Sequence, residues 1–123
     1  FIEVNVSGAQ TKDDARRVAK LVVDSPLVKT AVAGEDPNWG RIIMALGKDP
    51  KVLINQSMLS ITVNGLLLFQ AGEACQLNRS EIKKAMNQYA IVIDIIIGDG
   101  IFMATSWGCD LTHGYIDINT AYN

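Results

Sequence analysis

Side chains able to do chemistry are few in this sequence. His113 is the single histidine, so a classical general-base mechanism confined to the chain must use it. Cys109 and Asp110 lie four and three residues ahead of it, but sequence neighbours rarely pair as nucleophile and base, which are usually assembled from distant segments. The bland reading is an exposed histidine in the first turn of a helix. Cys75 and Cys109 lack any partnered motif, so neither a disulfide framework nor a zinc site is supported, and reduced thiols are expected. Glycines 98, 100, 108 and 114 stand at turns and strand ends, not between a strand and a helix with a following lysine, so they do not form a phosphate loop.

The densest local set is GEDPNWGR, Gly34 to Arg41. It combines two carboxylates, an amide, an indole and a guanidinium at a helix start. Helix N-terminal amides and Arg41 could hold an anion there. In the competing structural reading Asp36 and Pro37 are cap residues, Trp39 belongs to the core and Arg41 ties down a loop.

The elements that must position these residues follow from periodicity. Ile2, Val4 and Val6 alternate with Glu3 and Asn5 as in a half-buried strand, which Ser7-Gly8 is expected to end. Thr11 and Asp14 resemble a capping box, and Ala15, Val18, Ala19 and Val22 recur at helical spacing, predicting a helix from about Lys12 to Val23. Ser25-Pro26 stops it, and a short segment leads to Gly34. A second helix is expected to start at Asp36 as cap with Pro37 first, and to end at Gly47.

Asn64-Gly65 between Ser60–Val63 and Leu66–Phe69 predicts a hairpin with a type I′ turn. Asn78 and Glu81 open a further helix with Ile82, Ala85 and Met86 inward. Ala90 to Ile97 is apolar at nearly every position, as in a central strand covered on both faces. Gly98-Asp99-Gly100 is expected to turn it into a second hairpin strand, Ile101 to Trp107. Asp110 would cap a last short helix, Leu111 to about Ile118. The whole predicts an α+β fold, helices packed on a mixed or mostly antiparallel sheet, sandwich-like, in one domain over residues 1–123.

Composition excludes several classes. Apolar residues make up 49% and charged residues 20%, as in an ordinary folded domain, and a net charge of −2 with scattered basic residues leaves no nucleic-acid footprint. The longest apolar run is interrupted by Asp94 and falls far short of the roughly 20 residues that span a bilayer. Phe1-Ile2-Glu3-Val4 has no signal-peptide character and reads as an internal cut within a longer polypeptide.

Three stretches together resemble one family. They are SPLVKTAVAGEDPNWGRI (Ser25 to Ile42), IDIIIGDGIFMATSWGCDLTHGYIDIN (Ile93 to Asn119), and the tail Asn119-Thr120-Ala121-Tyr122. They are similar to the ornithine acetyltransferases, which also act as glutamate N-acetyltransferases in arginine biosynthesis. That resemblance implies a cytoplasmic enzyme made as one precursor that cuts itself before a threonine, whose freed amine and hydroxyl serve as base and nucleophile. It implies an acetyl-threonine intermediate, passing acetyl from N-acetylornithine to glutamate, and an assembly of two α and two β chains. No cofactor or metal is implied, although acetyl-coenzyme A can be a co-substrate in this family.

By the same resemblance this chain is the C-terminal part of the β chain. The nucleophilic threonine and a substrate-binding glutamate fall ahead of Phe1, so no catalytic residue lies in the chain; Glu3 and Glu35 do not replace that glutamate. The threonines present, including Thr112 and Thr120, follow no self-cleavage motif. One binding residue maps: the tail asparagine that contacts the amino-acid substrate corresponds to Asn119, whose amide can both donate and accept. The expected partners are the α chain and the upstream part of the β chain. The alternative is a non-catalytic amino-acid-binding or scaffold domain, which an open reading frame starting near Phe1 would reveal.

Overall fold

The computed structural model describes residues 1–110. Ten elements occur in them: β1 (Ile2–Ala9), α1 (Lys12–Val23), α2 (Pro26–Ala33), α3 (Trp39–Leu46), β2 (Ser60–Val63), β3 (Leu66–Gln70), β4 (Glu73–Ala74), α4 (Arg79–Met86), β5 (Ile91–Ile96) and β6 (Phe102–Gly108). The strands form one mixed sheet in the order β4-β3-β2-β5-β1-β6, in which β1 pairs parallel with β5 and antiparallel with β6. The expected α+β class is therefore found, as helices layered on a mixed sheet.

Strand register decides which side chains meet the helices. Ile2, Val4 and Val6 lie opposite Ile91, Ile93 and Ile95, and all six are at most 2% exposed. On β6 the same face carries Ala104, Ser106 and Gly108. These small residues let α1 sit close, bringing Val23 against Gly108. Helix α1 buries Ala15, Val18, Ala19 and Val22 on that face, and the Thr11 hydroxyl caps it by accepting from the Asp14 amide at 3.0 Å. Complete burial of one Val or Ile is worth about 1.5–3 kcal/mol, so this shared stripe is the main cohesive contact.

Several sequence expectations need correction. Ser7-Gly8 does not end β1: the strand runs to Ala9, and the pair forms an irregularity between Val6 and Ala9. The segment after Ser25 is a helix. Pro26 stops α1 but is equally suited to open α2, where the buried Ser25 hydroxyl accepts from the Val28 amide at 3.3 Å. The two-residue β4 carries no periodicity to read.

The expected second hairpin is absent. β6 pairs with β1 and not with β5, so Gly98-Asp99-Gly100 is a crossover that carries the chain over the end of β1. The Gly100 amide donates to the Gly8 carbonyl at 3.0 Å, and a Cβ on Gly8 or Gly100 would collide with the Gly98 or Ala9 carbonyl. The glycines answer to backbone meeting backbone. Strand β5 is central, as expected, but among the described residues only one of its faces is covered: Asp94 and Ile96 are exposed. The expected helix from Leu111 to Ile118 lies outside the described residues.

The β2–β3 hairpin has the expected turn, with φ of 47° at Asn64 and 81° at Gly65. Asn64 does more than turn. Its side-chain amide donates to the carbonyls of Ala85 (2.7 Å) and Ala90 (3.1 Å), and its oxygen accepts from the Val92 amide at 2.8 Å. One side chain thus fastens the hairpin to the end of α4 and the start of β5. Asn64→Gly keeps the turn conformation and removes all three bonds, so it is expected to cost about 2–3 kcal/mol in denaturant unfolding. A loss below about 0.5 kcal/mol would contradict that role.

Candidate functional site

The GEDPNWGR segment folds as the joint between α2 and α3. Gly34 is the last capping residue of α2 and Glu35 follows it with φ of 55°. The Glu35 amide donates to the Val32 carbonyl (3.0 Å) and the Asp36 amide to the Ala31 carbonyl (2.8 Å), the paired bonds of a Schellman ending. Glutamate thus occupies the left-handed position that glycine normally takes. The start of α3 also differs from expectation: Asn38, not Asp36, is the cap, its oxygen accepting from the Arg41 amide at 3.1 Å. Asp36 instead accepts from the Asn38 side-chain amide at 3.3 Å, and Pro37 precedes the cap. Two residues of like capping chemistry competed for one position, and spacing alone favoured the wrong one.

Arg41 donates from Nη1 to the Leu27 carbonyl at 2.9 Å, which ties α3 to α2. Trp39 packs on the core with its ring centroid 5.1 Å from that of Phe69. Both side chains follow the structural reading of this segment and not the anion-binding one.

A second set, missed in the sequence, lies on the face of the sheet that the described helices leave uncovered. There Glu3 is opposite Val92 and Trp107, and Asn5 is opposite Asp94 and Thr105. The Asn5 amide donates one hydrogen to Glu3 Oε2 (3.1 Å) and the other to Asp94 Oδ1 (2.9 Å), while its oxygen accepts from the Thr105 hydroxyl (2.6 Å). The Trp107 indole donates to Glu3 Oε1 at 2.9 Å. Asn5 therefore uses its full donor capacity to join three strands.

Hydrogen bonds from Asn5 and then Trp107 hold the Glu3 carboxyl below its ordinary value, against an opposing effect of burial. With the folded value depressed, this stabilisation is present above the ordinary carboxylate range and is lost as pH falls through the folded value. The signal in the sequence was Asp94, a charge inside an otherwise apolar strand.

Cys75 is half-buried and Cys109 exposed, both free. A cleft of about 430 Å³ opens beside α3, lined by Leu46, Val52, Leu53, Leu59 and Phe69, with Asp49 and Gln56 as its polar side chains. No group of three or more metal-ligating side chains occurs among the described residues, and no helix there is long and apolar enough to cross a membrane. Asn119, His113, Thr112 and Thr120 lie outside the described residues.

The model of one family, the ArgJ family, matches residues 1–123. The chain belongs to that family. Its resemblance to the "Arginine biosynthesis bifunctional protein ArgJ" of a Bacillus cereus strain is 42% identity over 122 residues, 99% of this chain and 30% of that protein. The protein of the same name from Oceanobacillus iheyensis is 46% identical over the same share of each. The crystal structure of the argJ protein from Bacillus halodurans superposes with a TM-score of 0.91 at 36% identity, covering 98% of this chain and 57% of that one. This ArgJ-family chain thus spans about a third of the curated relatives it matches.

The ending of α2 yields a direct test. Glu35→Gly relieves a left-handed conformation that a side chain disfavours, so it is expected to raise stability by about 0.5–1 kcal/mol, measured as a shift in the denaturation midpoint. A lowered midpoint would contradict this reading of the joint.

Proposed function

We propose that this chain is the C-terminal part of the β chain of a self-cleaving acetyltransferase acting in arginine biosynthesis. The observation that carries the reading is the family match over residues 1–123, joined to a span of only 30% of the first relatives. The printed name of those relatives, an arginine biosynthesis bifunctional protein, supports the pathway. The Bacillus halodurans chain adds support for cleavage. This chain covers 57% of it against 30% of the curated relatives, so the solved polypeptide is roughly half their length, as a precursor cut near its middle would leave.

In the proposed cycle the nucleophile is a threonine outside this chain, at the start of the β chain. Its α-amine takes the hydroxyl proton as Oγ attacks the acetyl carbonyl of N-acetylornithine. The tetrahedral oxyanion, held by donors of the α chain, collapses and the ornithine amine leaves with the proton. The acetyl-threonine ester is then attacked by the glutamate amine, which regenerates the threonine and releases N-acetylglutamate. The enzyme works in the cytoplasm without a cofactor, as two α and two β chains, and acetyl-coenzyme A is a further candidate acyl donor.

The part assigned to this chain is scaffold plus one edge of the amino-acid pocket. Asn119 supplies that edge, because a carboxamide can donate to the substrate carboxylate and accept from its ammonium. In the complete enzyme Asn119→Ala is expected to raise KM for the amino-acid substrates by about tenfold or more, through lost hydrogen bonds to charged groups. The melting temperature should stay unchanged. Unaltered kinetics would remove the assignment.

A further inference from the structure

The face of the sheet that the described residues leave uncovered carries large apolar side chains. β1 and β5 are adjacent, parallel and central. Strands buried on both faces, as in all-parallel sheets, read as near-continuous apolar runs. β5 has that character, with Val92 and Ile96 turned away from the helices, yet Ile96 is 43% exposed. On the same face β6 presents Met103 at 63% and Trp107 at 60% exposure. Large apolar side chains running across one sheet face, from the central β5 to the edge strand β6, mark a surface that something covers.

We propose that this face is the seat of the polypeptide preceding Phe1 in the full-length protein, packed as a second layer on the sheet. The inference rests on the proposed function, in which such polypeptide exists. Three observations favour this occupant. The relatives carry about two thirds of their length outside the matched part, ample for a layer. The start of β1 lies beside Trp107 and Gly108, because Ile2 is opposite Gly108 and Glu3 opposite Trp107, so polypeptide leading into Phe1 arrives at the rim of the face.

Charge, the third, argues against a second copy. The strand positions of this face hold three carboxylates, Glu3, Asp94 and Glu73, and no lysine or arginine. Two-fold self-docking would bring six carboxylates together with no lysine or arginine at the strand positions to offset them. Asn5 already joins Thr105, Glu3 and one oxygen of Asp94, and the Trp107 indole donates to Glu3. The occupant is therefore an apolar layer carrying one or two donors, an amide or a basic side chain, for the second Asp94 oxygen, which no described residue contacts.

The test uses the intact full-length protein, with hydroxyl-radical oxidation of Met103 and Trp107 read by mass spectrometry against the urea-unfolded protein. Both are expected to react at least about fivefold more slowly when folded, equally at high and low protein concentration. A photo-reactive residue in place of Met103 is expected to cross-link to residues ahead of Phe1. Oxidation within about twofold of the unfolded rate, protection that disappears on dilution, or cross-links confined to residues 1–123 or to a second copy would overturn the proposal. Acetyl transfer is assayed on the same sample: protection without turnover would leave the inference standing and defeat the functional reading, and turnover without protection the reverse.

Discussion

Where the chain leaves β5 it must cross the end of β1 before it can return as β6, and at that crossing main chain touches main chain. The Gly98 and Ala9 carbonyls occupy the space that a Cβ on Gly8 or Gly100 would need. The Ile97 and Gly100 amides donate to Ser7 and Gly8 across the same gap. If side chains held the segments apart, β1 could not lie between β5 and β6 with both ladders formed. The central parallel pair, the α1 packing stripe and the Asn5 network all presuppose that insertion.

The insertion gives the sheet two unlike faces. One is a continuous apolar surface, to which Ile2, Val4, Val6, Ile91, Ile93 and Ile95 contribute in register beneath the helices. The other mixes large apolar groups with a closed polar set, in which Asn5 joins Glu3, Asp94 and Thr105. A carboxamide in the middle of a sheet would be costly if its donors were idle. Here each is used, so the face can accept a covering layer with little further desolvation of unpaired groups.

The local chemistry of the elements was legible in the sequence. Thr11 capped a helix with the predicted bounds, and Asn64-Gly65 made the predicted turn. What escaped was non-local. Nothing in the spacing of Gly98-Asp99-Gly100 distinguishes a hairpin from a crossover, because the deciding partner, Gly8, lies about ninety residues away in sequence. Likewise Glu3, Asn5, Asp94, Thr105 and Trp107 became a set only through register. The Ala90–Ile97 run predicted cover on both faces, and the described helices provide it on one. Of the candidate site, the GEDPNWGR segment was recognised as a helix start but its cap was misplaced by two residues, since Asp36 and Asn38 have the same capping chemistry. Asn119 was reached through family resemblance, not through any physical pattern.

The chain belongs to the ArgJ family and spans about a third of the curated relatives it matches. Within the segment itself, the glycine crossing is the point on which the rest turns. The most direct measurement compares denaturant unfolding of the intact protein bearing Gly100→Ala with one bearing Gly47→Ala. A Cβ at Gly47 would meet its neighbours at ordinary contact distances, 3.7 and 3.8 Å. Gly100→Ala should lose about 3 kcal/mol or fail to fold, while Gly47→Ala stays within about 1 kcal/mol of the parent. Equal stability of the two variants would show that β1 is not threaded between β5 and β6 in this way.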